Sequence, residues 1–373
     1  MSRWNIIFKP FSELLSNVVD NRGKTCPTAP SGLALIATNC IKNDNLYPVY
    51  ENIRYVSDET YKTWFRGHPL PGDLIFVTKG TPGRVCVVPP KVDFCIAQDM
   101  VAIRADNKKV SPKYLFAALR SAEIQSEIEN LHVGSLIPHF KKGDFDKLQI
   151  PLPERELQEY IGEQYFTFSA KIDLLHRQNK TLEGMAEALW RKMFVEGADP
   201  GWKKGKLGDI TSVSTGKGLR RIEYNENGLY PVIGANGEIG RTDKYLTNEK
   251  LILTGRVGTL GEIFISNREV WISDNVLIIK PNEDRFFYAV YFLLKNIDFE
   301  NLNVGSTQPL VTQTDLKNIE IELPANDILD YFVTWCESGF NKIEKNVSQI
   351  RTLSRLRDTL LPKLMSGEVS VKL

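Results

Sequence analysis

Cysteine is scarce and shows no pairing pattern: Cys26, Cys40, Cys86, Cys95 and Cys336 are odd in number, scattered, and include no C-x-x-C pair. This spacing indicates neither a disulfide framework nor a zinc site and fits a reducing compartment. Histidine is scarcer still, and His68, His132, His139 and His176 have no metal-ligand spacing, so they read as surface or structural residues. No metal and no cofactor is expected. No apolar run approaches bilayer length, and the opening MSRWNIIFKPF lacks the apolar core of a signal peptide, so no membrane association and a cytoplasmic location are expected.

An excess of charge of one sign is missing too. The 47 Lys and Arg residues face 46 Asp and Glu, for a net charge of +1, which excludes a uniformly basic nucleic-acid coat. A polyanion would have to be met by local cation clusters offset elsewhere. Catalytic signatures are equally absent. Gly23-Lys24-Thr25 looks like the end of a phosphate loop, but Val18 stands where that loop needs its upstream Gly. The only Pro-Pro, Pro89-Pro90, lies between Val88 and Lys91, outside the Asp/Asn-Pro-Pro-aromatic setting of amino methylation. With 42% hydrophobic and 25% charged residues over 373 positions, the composition is globular and allows two or three domains.

What is present is a repeat. VGSLIPHFKKGDFDKLQIPLP (133–153) and VGSTQPLVTQTDLKNIEIELP (304–324) align at one constant offset without a gap, pairing Gly134 with Gly305, Ser135 with Ser306, Pro138 with Pro309, Asp144 with Asp315 and Pro153 with Pro324. The same offset continues through Tyr160 and Tyr331, Ile172 and Ile343, and Leu189 and Leu360. The chain is a tandem duplication.

Each copy then runs into a heptad stripe. Alternating steps of four and three from Ile161 reach Tyr165, Phe168, Ile172, Leu175, Asn179, Leu182, Ala186, Leu189 and Met193. From Phe332 they reach Cys336, Gly339, Ile343, Asn346, Ile350, Leu353, Arg357, Leu360 and Leu364. Helices of roughly 40 residues would be roughly 60 Å long and need a partner along their length. A single stripe could pack on its own domain; two similar stripes in one chain predict an intramolecular helix pair, whose direction the stripes do not give. One Asn inside each seam lowers stability and can fix register.

The expected fold is α+β with pseudo-twofold internal symmetry: two similar domains, each a mostly antiparallel sheet with helices, separated by two long helices. The expected boundaries are 1–153 for the first domain, 154–196 for the first spacer helix, 197–324 for the second domain, and 325–373 for the second spacer helix and tail. LIFVTKGTPGRVCVV (74–88) and CIAQDMVAIRA (95–105) read as strands and turns matched by LILTGRVGTLGEIFI (251–265) and WISDNVLIIKP (271–281). A helix is expected from Ser111 to Leu131, with Ser111-Pro112 as its cap and first turn. The front portions, 10–70 and 207–250, are much less alike, which suits one scaffold carrying two different recognition surfaces.

In this order the residues resemble the specificity (S) subunit of type I restriction-modification systems. The resemblance rests on GWKKGKLGDI (201–210), YPVIGANGEIG (230–240), the Gly258 and Gly261 turn, the Gly305-Ser306 tract ending at Leu323-Pro324, and LLPKLMSGEVSV (360–371), and it covers nearly the whole chain. It implies two target-recognition domains reading the halves of a bipartite double-stranded DNA site. It further implies that the two long helices form an antiparallel coiled coil that sets the spacing between half-sites and docks modification methyltransferase subunits, with a restriction/translocase subunit joining them, while the chain itself is non-catalytic. The first half departs from the family pattern at its front, so its DNA-contact loops are harder to place.

Candidate DNA-contact residues lie in basic and amide-bearing turns. TGKGLRR (215–221) places Lys217, Arg220 and Arg221 beside two glycines, where a flexible loop can approach phosphates closely. Asn236 lies within the YPVIGANGEIG tract, Arg241 follows it and Arg256 precedes the Gly258 turn; Arg to guanine and Asn to adenine suit major-groove geometry. In the first half the corresponding candidates are Lys79 and Arg84 around Gly80 and Gly83, with Lys141 and Lys142 near His139. Any one of these is, on the bland reading, a solvated turn residue. Other classes stay open at this point: a duplicated coiled-coil scaffold that binds protein, favoured by the near-neutral charge, and a fused methyltransferase or nuclease, disfavoured by the missing motifs.

Overall fold

A computed structural model describes residues 6–21, 23–131, 138–256, 262–299, 310–366 and 368–369. Ser135, Ser306, Gln308, Gly258, Gly261 and His132 lie outside the described residues. The chain divides into two compact units, Met1–Gln178 with Lys345–Leu373, and Asn179–Glu344.

In unit 1 a four-stranded antiparallel sheet has the order β2 (Leu15–Val19), β8 (Met100–Ala105), β5 (Leu74–Val77), β6 (Val85–Val87). A three-stranded sheet places β3 (Leu33–Ile36) between β4 (Arg54–Val56) and β7 (Phe94–Ile96), the last pair parallel. β1 (Ile7–Pro10) pairs with β9 (Gln149–Leu152). A short helix, α1 (Asp58–Thr63), follows β4 and is capped by Ser57 Oγ, which accepts from Thr60 N at 3.1 Å.

β5 and β6 read as unbroken apolar runs because both of their faces are covered. Their side chains alternate as strand geometry requires. Leu74, Phe76, Val85 and Val87 share a core with Tyr114 and Phe116 of the helical layer. Ile75, Val77, Cys86 and Val88 share one with Ile36, Phe94 and Ile96 of the second sheet.

The helix expected over Ser111–Leu131 is two helices, α2 (Pro112–Leu119) and α3 (Ala122–Asn130). The break has a physical cause. Ser121 Oγ accepts from Ile124 N at 3.3 Å, capping α3, while the buried Arg120 carries its guanidinium inward to the Val85 carbonyl, 3.1 Å from Nε. Ser111 does not cap with its side chain: its hydroxyl donates to Glu159 at 3.1 Å and its N–H donates to Gln158 Oε1 at 3.1 Å, tying α2 to the helix that follows.

Unit 2 repeats this arrangement in the same chain order. Its four-stranded sheet is β11 (Thr211–Thr215), β17 (Val276–Pro281), β14 (Leu251–Gly255), β15 (Ile263–Ser266); its three-stranded sheet is β13 (Gly237–Thr242), β12 (Tyr230–Gly234), β16 (Trp271–Ile272), again with one parallel pair. β10 (Lys203–Lys206) pairs with β18 (Glu320–Leu323), as β1 does with β9. The small helices are α5 (Leu207–Ile210), α6 (Phe287–Lys295) and α7 (Gln313–Lys317). Both copies also use the repeated aspartate alike: Asp144 accepts from Lys141 N at 3.1 Å and Asp315 from Thr312 N at 2.8 Å.

The long helices are α4 (Arg155–Arg191) and α8 (Asn326–Met365). They run antiparallel within each unit. In unit 1, Ile161 and Tyr165 near the start of α4 share a core with Leu361 and Leu364 near the end of α8, and the Arg357 guanidinium lies 5.3 Å from the Tyr165 ring centroid. In unit 2, Phe194, just past α4, meets Phe332 near the start of α8 edge-on with centroids 5.0 Å apart. Ile161, Ile172, Leu175 and Asn346 are buried, and Phe168, Asn179, Leu182, Leu189, Ile343, Ile350, Leu353 and Leu360 are half-buried. Each fully buried Leu or Ile contributes about 2 kcal/mol. Arg357 is the charged residue of the α8 stripe, buried as a cation that pairs with Asp358 at 2.8 Å.

Candidate nucleic-acid interface

Three connections of unit 1 converge at one end of its four-stranded sheet. The first leaves β2 at Val19. Asn21, nearly buried, pins it by donating from Nδ2 to the carbonyls of Ile96 and Gly67, both at 3.0 Å. Gly23 then takes φ +118°, a left-handed backbone that suits glycine.

The second connection is the turn between β7 and β8. Its Asp99 carbonyl accepts from both Thr78 N (2.7 Å) and Lys79 N (3.1 Å). The third is the segment around His139, which bridges Lys79 while Phe140 N donates to the Thr78 carbonyl at 2.8 Å.

Together they line a cleft of about 610 Å³. Lys24, Lys79, Lys141 and Lys142 supply its cations, and Asp20 and Asp99 its carboxylates. Of the first-half candidates, Lys79, Lys141 and Lys142 are thus brought together; Arg84 does not line this cleft. The Lys79 ammonium lies 3.9 Å from the Asp99 carboxylate. Three apolar strands end here with their polar connections outward, leaving a concave cationic surface that can hold phosphates.

In unit 2 the basic loop lies on the corresponding turn. Gly216 N donates to the Val276 carbonyl at 3.1 Å, Lys217 N to the Ile272 carbonyl at 2.8 Å, and Trp271 Nε1 to the Lys217 carbonyl at 2.8 Å. A Cβ at Gly216 would fall 2.3 Å from the carbonyl oxygens of Ile272 and Ser273, so the close approach requires glycine. Arg256 N donates to the Asn275 carbonyl at 2.9 Å, in the place that Thr78 N and the Asp99 carbonyl hold in unit 1. Lys217 and Arg256 therefore flank this turn.

Arg220, with its side chain 79% exposed, pairs with Glu223 at 3.0 Å, and Lys244 pairs with the same carboxylate. Hydrogen bonds from Arg220 and then Lys244 hold the Glu223 carboxyl down to about 2. Arg221 and Arg241 line a second cleft of about 660 Å³ with Tyr224, Asn225 and Ile239. Arg241 is braced, donating to the carbonyls of Gly228 and Leu229, each at 2.7 Å, and pairing with Glu238 at 3.0 Å. Asn236 sits at the tip of the β12–β13 hairpin, beside Gly237 at φ +106°.

The two clefts thus belong to two copies of one scaffold, and the sequence matches the Type I restriction modification DNA specificity domain twice, over residues 31–184 and 200–332. The chain belongs to this family. It is similar to the type I restriction enzyme MjaIX specificity subunit of Methanocaldococcus jannaschii, with 26% identity over 309 residues covering 70% of each chain. Against the HindI specificity subunit of Haemophilus influenzae the identity is 21%, covering 91% of this chain and 95% of that one. The crystal structure of a type I restriction-modification system S subunit from M. genitalium shares the fold, with a TM-score of 0.60 at 18% identity over 97% of this chain and 96% of that chain.

In this specificity-family chain, sequence reasoning passed over Lys24, Gln98 and Asp99, all of which line the unit 1 cleft. Lys24 belongs to the Gly23-Lys24-Thr25 stretch set aside as a broken phosphate loop. Strand pairing gives the stretch its place: β2 pairs with β8 as β11 pairs with β17, so residues 20–25 follow β2 as the basic loop 216–221 follows β11. Only the matched strands that frame these divergent fronts, 95–105 and 271–281, carried that signal in the sequence.

Proposed function

We propose that the chain is the DNA-recognition subunit of a type I restriction-modification complex and reads a bipartite duplex target, one half with residues 1–153 and the other with 197–324. The carrying observation is that one scaffold occurs twice, with a cationic cleft at the sheet end of the first copy and another beside the β12–β13 hairpin of the second. In the first half Lys79, Arg84, Lys141 and Lys142 meet the DNA, joined by Lys24; in the second half Lys217, Arg220, Arg221, Asn236, Arg241 and Arg256 do so. The spacer helices, 154–196 and 325–373, set the gap between half-sites and dock methyltransferase subunits, with a restriction/translocase subunit as a further partner. The chain itself is non-catalytic and works in the cytoplasm; among the described residues no helix is long and apolar enough to cross a membrane.

Binding one half-site raises the effective concentration of the second domain at its own half-site, so two modest contacts act as one strong one. The experiment is a salt titration of duplex binding by the chain in its assembled complex. Cation–phosphate recognition predicts that log affinity falls linearly with log salt concentration. Binding that is insensitive to salt and to DNA sequence would favour a protein-binding scaffold.

A further inference from the structure

The unit 1 cleft mixes signs in a way that phosphate binding alone does not explain. Asp20 and Asp99 line it beside the four lysines, and a carboxylate opposes the approach of a phosphate. Base edges differ: an amide or carboxylate oxygen accepts from the amino groups of adenine or cytosine. The turn between β7 and β8 carries both kinds of acceptor, Gln98 and Asp99.

Both residues hold the left-handed backbone, at φ 39° and 43°, which disfavours side chains with a Cβ. Glycine would take this conformation with less strain, so backbone geometry does not account for Gln98. The turn is fastened by its main chain, through the Asp99 carbonyl and the N–H groups of Thr78 and Lys79. Gln98 and Asp99 both line the cleft. Gln98 Nε2 donates to the Lys24 carbonyl at 3.2 Å, and among the described residues nothing donates to its Oε1. That contact uses one of the two amide hydrogens, which leaves one donor and one acceptor on a single planar group.

Unit 2 has a connection of the same length between β16 and β17, Ser273-Asp274-Asn275, fastened through the Asn275 carbonyl to Arg256 N at 2.9 Å. The mounting is common to both units, and the residues mounted on it differ.

We propose that the β7–β8 turn determines specificity and that Gln98 reads an adenine in the first half-site, with Oε1 accepting from N6 and Nε2 donating to N7. The surrounding lysines hold the flanking phosphates, and Asp274 and Asn275 occupy the corresponding place for the second half-site. This rests on the DNA-recognition reading above.

The test is selection from randomised duplexes by the assembled complex, using wild type, Gln98→Ala, Gln98→Gly and Gln98→Glu. Gln98→Gly removes the side chain while relieving the backbone, so it keeps the test decisive where Gln98→Ala fails to fold. The Ala and Gly variants are expected to lose selectivity at one adenine of one half-site by roughly tenfold to a hundredfold. The other half-site stays unchanged, and non-specific duplex affinity changes less than about twofold. Gln98→Glu is expected to move the preference at that position towards cytosine. An unchanged motif in Gln98→Gly, or a uniform loss of affinity with selectivity intact, overturns the assignment of Gln98. Failure of the wild type to select any split motif overturns the DNA-recognition reading and, with it, this proposal.

Discussion

Asn346 Nδ2 donates to Gln178 Oε1 at 2.8 Å, joining two residues 168 positions apart, and Asn346 is fully buried where it does so. The contact links the two long helices within unit 1 at a seam position. A buried amide in an apolar stripe lowers stability while it disfavours neighbouring registers. Asn346→Leu is therefore expected to raise stability to denaturant by about 1 kcal/mol while loosening register. Denaturant unfolding with disulfide trapping of alternative pairings across the helices checks both effects; lower stability with a single trapped register would contradict this role.

Glu183 on α4 accepts from Tyr291 Oη and Lys295 Nζ, both at 2.7 Å, and so fastens α6 to the long helix within unit 2. Burial pushes its carboxyl up, but the hydrogen bonds from Lys295 and Tyr291 outweigh that and leave it below its ordinary 4.5. The folded value is depressed, so the carboxylate's contribution is present above about pH 4.5 and is lost as pH falls through the folded value. Glu183→Ala is expected to destabilise the protein by about 1 to 2 kcal/mol near neutral pH. The gap to wild type should narrow on acidification, and parallel stability curves down to pH 3 would contradict the linkage.

Glu223 pairs with both Arg220 and Lys244 and offsets one of their two charges. A phosphate that recruits Arg220 must compete with that carboxylate. Glu223→Gln is expected to strengthen non-specific duplex binding severalfold and to steepen the salt dependence, while Arg220→Ala weakens binding mainly through the second half-site and reduces the salt slope by about one. Salt-titrated affinities of the two variants, measured side by side, check the opposed signs.

Gly216 lies against two carbonyl oxygens, so Gly216→Ala must displace either the basic loop or the β16–β17 turn beneath it. Discrimination at the second half-site is expected to fall about tenfold or more while the first half-site is unaffected. Competition with duplexes mutated in one half-site at a time checks this. Equal loss at both halves would show that the loop is not local to one reading surface.

The legible parts of this fold were those whose periodicity is written locally. The heptad steps from Ile161 and Phe332 fall on buried or half-buried positions of α4 and α8, and the matched segments 74–88 and 251–265 became β5–β6 and β14–β15. The break between α2 and α3 was hidden because one of its causes is tertiary, Arg120 reaching the Val85 carbonyl, and the other is a single Ser121 cap inside an otherwise helical run. Lys24 was hidden by sequence divergence in front of β8, and strand pairing alone shows its place. Gln98 carries no turn signature although it adopts positive φ, and Asp99, a residue that tolerates the left-handed region, is too small a signal alone to mark the turn.

The most direct measurement is base-resolved methylation mapping of host DNA with this chain present, deleted, and carrying a heptad-disrupting insertion near Leu182. The account predicts one split motif that disappears on deletion and whose gap changes, or whose methylation is lost, with the insertion. A continuous motif, or a split motif whose gap is indifferent to the insertion, would contradict it.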